Sequence, residues 1–139
     1  MHWDDINWEK TPYDTMKAYQ QSKLANILFS QELARRLEGT GINVYSLHPG
    51  VIATELGRHI KDSMGSVVAF LLVFLYPFIK TPESGAQTSI FCAVDESVSG
   101  ETGLYYSDCQ VKQPRPQALS QQDAEKLWQI SEELTGLKQ

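Results

Sequence analysis

Tyr19 and Lys23 stand four residues apart in the run Tyr19-Gln20-Gln21-Ser22-Lys23, a pairing that can do chemistry. Residues four apart on a helix share one face and rise about 6 Å along its axis. A nearby cation favours the anionic form of a phenol, whose ordinary pKa is about 10. A phenol tuned towards neutrality can give or take a proton at a carbonyl or alcohol oxygen. That is the proton half of alcohol–carbonyl redox chemistry, in which a hydride and a proton move together. Taken alone, the pair is weak evidence. The chain holds six Tyr and eight Lys in 139 residues, so roughly one chance Tyr-x-x-x-Lys match is expected in three such chains. On spacing alone, a packing tyrosine beside a solvated lysine is at least as good a reading.

The elements around the pair decide more. Residues 1–12 read as an irregular lead-in. Asp14 or Thr15 can cap a helix that runs to about Glu38. Leu24, Ile27, Leu28, Leu33, Ala34 and Leu37 keep near-helical spacing, and Tyr19, Lys23, Asn26 and Ser30 form a separate polar stripe. Gly39-Thr40-Gly41 makes a C-cap and turn, and residues 42–47 read as a strand, apolar enough to be central. Residues 50–80 form a long excursion. A second helix spans Glu83 to Val94 after Pro82, and Leu104-Tyr105-Tyr106 is a short strand after Gly103. Residues 110–120 read as loop, and residues 121–136 as an amphipathic helix stopped by Gly136.

In this setting the chain resembles the short-chain dehydrogenase/reductase superfamily. The resemblance rests on Tyr19-x-x-Ser22-Lys23-x-Ala25-Asn26, then a strand ending at Pro49-Gly50, then Thr54. Within the superfamily it is most similar to the microsomal and mitochondrial retinol dehydrogenases. Further stretches carry that likeness in one order along the chain: Glu32-Leu33-Ala34-Arg35-Arg36-Leu37-Glu38-Gly39, Leu47-His48-Pro49-Gly50, Lys80-Thr81-Pro82-Glu83-x-Gly85-Ala86-Gln87-Thr88-Ser89 and Gly103-x-Tyr105-Tyr106-Ser107-Asp108-Cys109.

The resemblance implies a fold and a set of roles. The fold would be α/β: the C-terminal half of a Rossmann-like, doubly wound parallel sheet, helix-rich with about two strands. Residues 1–139 would then be the C-terminal part of a single NAD(P)-binding domain. No Gly-x-x-x-Gly-x-Gly or Gly-x-Gly-x-x-Gly phosphate loop occurs, and no serine precedes Tyr19. By family roles, Tyr19 is the catalytic acid/base, while Lys23 tunes it and hydrogen-bonds the nicotinamide ribose. Pro49, Gly50 and Val51 border the nicotinamide, and Thr54 contacts its amide. The cofactor implied is NADP(H). The substrate implied is an apolar alcohol, aldehyde or ketone such as a retinoid, a steroid or a lipid aldehyde. The location implied is a membrane of the endoplasmic reticulum or mitochondrion.

Without the resemblance, Pro49-Gly50 is a plain strand-exit turn. Ser22 could equally touch cofactor or cap a turn. His48 reads as structural, since no other His or Cys has suitable metal-ligand spacing. Val67 to Ile79 is a run of thirteen nearly continuous apolar residues broken by Pro77, shorter than the ~20 a spanning helix needs. It reads as a buried core helix, or as a greasy substrate lid making peripheral membrane contact.

Net charge is −5 and pI about 5.1, which argues against a nucleic-acid partner. Cys92 and Cys109 form no disulfide framework, and the first residues show no signal peptide. Two functions stay open. One is a retinol dehydrogenase-like oxidoreductase, with a homo-oligomer open as a further association. The other is a catalytically dead, truncated isoform that binds a membrane or a full-length homologue.

Overall fold

A computed structural model describes residues 1–52 and 79–137. It is helix-rich with one small sheet. The helices are α1 (Thr15–Arg36), α2 (Pro82–Val94) and α3 (Gln121–Thr135), and the strands are β1 (Tyr45–His48), β2 (Leu104–Ser107) and β3 (Gln110–Val111). Sheet order is β1-β2-β3, and β2 pairs antiparallel with β3 through Tyr106–Val111 and Ser107–Gln110. The chain divides into two compact units. The first holds Met1–Ser46, Gly100–Tyr105 and Lys112–Gln139; the second holds Leu47–Ser99 and Tyr106–Val111.

In the first unit, Asp14 caps α1 by accepting from the backbone N–H groups of Met16 and Lys17 at 3.1 and 3.0 Å. Arg35 and Arg36 sit in the last turn, where cations complement the helix dipole. Leu28 of α1 packs with Ala124 and Leu127 of α3, and Met1, Trp3, Ile6, Leu24 and Ala25 close around them. Beside this core lies a charge the sequence reading placed on no face. Glu32 is 1% exposed, and Arg35 and Arg36 chelate its carboxylate at 2.6–2.8 Å. The Arg35 guanidinium, helped by Arg36 and opposed by burial, holds that carboxyl below its ordinary range. Arg36 also lies over the Trp128 ring, 4.4 Å from its centroid, and Trp128 stacks on Phe29 at 5.4 Å. Arg35 and Arg36 also reach Glu125 and Glu132 of α3 at 3.9 and 3.8 Å, so the α1–α3 contact has an apolar part and an ionic part.

The lead-in is ordered. Trp3–Asp5 form one 3-10 turn. The buried Asp5 carboxylate accepts from the N–H groups of Glu9, Lys10 and Thr11 and from the Thr11 hydroxyl, all at 2.7–2.9 Å. Burial pushes the Asp5 carboxyl up. The Thr11 hydroxyl and the three amides outweigh it and bring the group from 3.8 down to about 2. A carboxyl with a depressed folded pKa stabilises above its unfolded pKa and loses that contribution as pH falls through the folded value. The loop 5–11 is therefore expected to stay closed above about pH 4 and to open as pH falls towards about 2. Hydrogen exchange at Glu9–Thr11 checks this, and Asp5→Asn should remove the pH dependence.

In the second unit, Thr81 caps α2 and Pro82 takes its first position. Gly85 lets Ile52 approach the helix: a Cβ there would lie 2.3 Å from Ile52 Cδ1. Phe91 packs on the buried Tyr106 at 6.1 Å.

Two local readings change. The first strand begins at Tyr45, because the Val44 N–H goes to the Thr102 hydroxyl at 3.0 Å and Ile42 is exposed. Among the described residues it is an edge strand of its sheet. The stretch read as loop from residue 110 adds a third strand. Asp108 and Cys109, with φ 54° and 55°, turn the chain through a two-residue left-handed hairpin.

Candidate active site

Capping by Asp14 fixes where α1 begins, which puts Tyr19 in its second turn with Lys23 one turn further on the same face. The Lys23 ammonium lies 5.3 Å from the Tyr19 ring centroid. Tyr19 is 59% exposed. Among the described residues its hydroxyl has no hydrogen-bond partner, and Lys23 has no carboxylate partner. Both side chains line a cleft of about 610 Å³ within the first unit. Its apolar lining includes Met1, Trp8, Leu24 and Ile27; its polar lining includes Lys17, Tyr105 and Arg115 and, among the described residues, no carboxylate.

Residues that sequence reasoning missed shape this cleft. Gln21 lines the same cleft and ties down the lead-in: its side-chain oxygen accepts from the His2 N–H at 2.8 Å, and its amide donates to the Ile6 carbonyl at 2.9 Å. Trp8 sits at φ 57°, stacked on His2, with its indole N–H buried and, among the described residues, without a hydrogen-bond partner. No sequence signal marks a tryptophan for the left-handed region. Ser22 is engaged by its own helix, donating to the Tyr19 carbonyl at 2.8 Å.

Pro49, Gly50 and Val51 belong to the second unit. Gly50 has φ 92°, a conformation that L side chains rarely adopt. His48 is used in the turn: its Nδ1 accepts from the Gly50 N–H at 2.9 Å. The Val51 carbonyl accepts from the Lys80 N–H at 2.8 Å. Thr54 lies outside the described residues, as does the apolar run except Ile79. Among the described residues, no helix is long and apolar enough to cross a membrane. The structure thus brings Tyr19 and Lys23 together in one unit and holds Pro49, Gly50 and Val51 in the other.

Comparison with known proteins bears on this arrangement. Residues 7–65 match the family described as short chain dehydrogenase. The chain is 47% identical to human retinol dehydrogenase 14 over 137 residues, covering 99% of this chain and 40% of that protein. It is 44% identical to human retinol dehydrogenase 12 over 134 residues, 96% of this chain and 40% of that protein. Human retinol dehydrogenase 13 is 44% identical over 137 residues, 97% of this chain and 41% of that protein. The chain spans about two fifths of the length of these relatives.

Proposed function

The chain belongs to the short-chain dehydrogenase family, and we propose that it carries the proton-transfer side of an NADP(H)-dependent oxidoreductase acting on retinol and retinal or a related apolar alcohol–carbonyl pair. In this reading residues 1–139 are the C-terminal part of one dinucleotide-binding domain associated with an endoplasmic reticulum or mitochondrial membrane. The observation that carries it is the pair itself: a phenol and an ammonium side by side on a cleft wall, neither engaged elsewhere among the described residues.

Bound nicotinamide would supply or accept the hydride. Tyr19 gives its proton to the carbonyl oxygen in reduction and takes it back from the alcohol in oxidation. The Lys23 ammonium stabilises the phenolate left behind, and its free N–H groups suit ribose hydroxyls. That donor set fits a dinucleotide. By the family's roles, Pro49, Gly50, Val51 and Thr54 would border the nicotinamide. The apolar lining from Met1, Leu24 and Ile27 suits an apolar substrate.

A second reading is a chain without turnover that binds a membrane or a homologue. It is favoured by Ile90 and Val94, which stand 50% and 72% exposed on α2. Calorimetric titration with NADPH and NADH, followed by assay with retinal, separates the two. The intact protein is expected to bind NADPH saturably, more tightly than NADH, and to consume it with retinal. Absence of both binding and turnover would overturn the first reading.

A further inference from the structure

We propose that Lys80 is a positioning residue for the Pro49–Gly50–Val51 loop, an inference that rests on the reading of that loop as the nicotinamide border. Three observations within the second unit converge on it. First, the Lys80 stem fills the space behind Gly50: a Cβ at Gly50 would lie 2.8 Å from Lys80 Cδ and 3.0 Å from Cε. Second, the Lys80 backbone holds the loop directly. Its N–H donates to the Val51 carbonyl at 2.8 Å, and Lys80 forms an isolated parallel bridge with Ile52. Third, the Lys80 ammonium is anchored by the Asp108 carboxylate at the left-handed turn between β2 and β3.

The ion pair is 27% and 61% exposed at its two side chains, and a pair that open to water adds little to stability. Its consequence is positional. Asp108 holds the far end of a four-carbon stem whose middle lies against Gly50. On the other side, Ile52 seats on the bare face of Gly85. Among the described residues the loop is therefore held from a helix and from a hairpin turn, and it contributes the glycine that leaves room for the stem and the Val51 carbonyl that pairs with Lys80.

The test uses the intact protein with Lys80→Ala, Lys80→Arg and Asp108→Asn. A displacement of about 1 Å beside a reacting centre can cost ~10²-fold. Lys80→Ala is expected to lower kcat/KM for NADPH by ~10-fold or more, with KM for retinal within ~2-fold. Lys80→Arg, which keeps stem and charge, should recover to within ~3-fold of wild type, and Asp108→Asn should fall between. Hydrogen exchange at Gly50–Ile52 and Lys80 should accelerate in Lys80→Ala. Wild-type NADPH kinetics together with unchanged exchange in Lys80→Ala would overturn the proposal. If Lys80→Ala does not fold, Asp108→Asn decides by the same two readouts. A wild-type protein that neither binds nor turns over dinucleotide overturns the proposed function instead, and loop exchange then decides the role of Lys80 by itself.

Discussion

Tyr19→Phe in the intact protein is expected to lower turnover by ~10²–10⁴-fold, the range that a positioned general acid–base contributes. NADPH affinity should stay within a few-fold. Phenylalanine keeps the ring and therefore the face against which the Lys23 ammonium lies at 5.3 Å. It removes one hydroxyl, which among the described residues makes no hydrogen bond. Tyr19 is well exposed, so the substitution leaves no unsatisfied partner in a core. A fall in kcat without a matching rise in dinucleotide KM is the signature of an interaction made at the reacting atoms. Steady-state kinetics with NADPH and retinal, run beside a thermal melt, read both quantities. Turnover within about threefold of wild type would remove Tyr19 from the mechanism.

Leu28→Ala has the largest expected effect on stability, a loss of ~2–5 kcal/mol. Leu28 is fully buried between α1 and α3. The other buried apolar residues of the first unit are Ala34, Ala118, Ala124 and Leu127. Three of the four are alanines, with no further atoms to move into the space a leucine vacates; any filling has to come from the half-buried Met1, Trp3, Ile6 and Leu24 packed against it, which sets where in that range the loss falls. Against a total stability of ~5–15 kcal/mol for a typical domain, that loss is a large fraction. Urea unfolding followed by circular dichroism should show a lower midpoint with little change in slope. A loss below about 1 kcal/mol would mean that the α1–α3 contact rests on its ionic part.

What could be read from the sequence was what short-range signals specify. Asp14, Pro82 and Gly136 mark helix ends by local chemistry, and α1, α2 and α3 stand within two residues of where those signals put them. The i, i+4 geometry of Tyr19 and Lys23 follows from helix periodicity alone. What was not legible depends on partners distant in sequence or on unusual backbone. Lys80 finds Asp108 across 28 positions, with no pattern to announce it. The left-handed turn uses Asp-Cys where Asn-Gly would have signalled a hairpin. The strand start moved because Val44 found a hydroxyl at Thr102, 58 residues away. Glu32 is buried because two arginines three and four residues on fold back over it, and no sequence signal placed that carboxylate on a buried face.

The chain has three tryptophans, Trp3, Trp8 and Trp128, and all three belong to the first unit. Their surroundings differ: Trp3 lies under the Lys126 ammonium, Trp8 on the His2 imidazole, and Trp128 between Phe29 and the Arg36 guanidinium. Intrinsic indole emission is therefore a one-sided optical reporter. It will register the loss of Leu28 or the acid opening of the Asp5 loop. Changes at Lys80, Asp108 or Gly50 occur in a unit that contains no indole, so a denaturation curve followed by emission alone can look unaltered while the Pro49–Val51 loop has come apart.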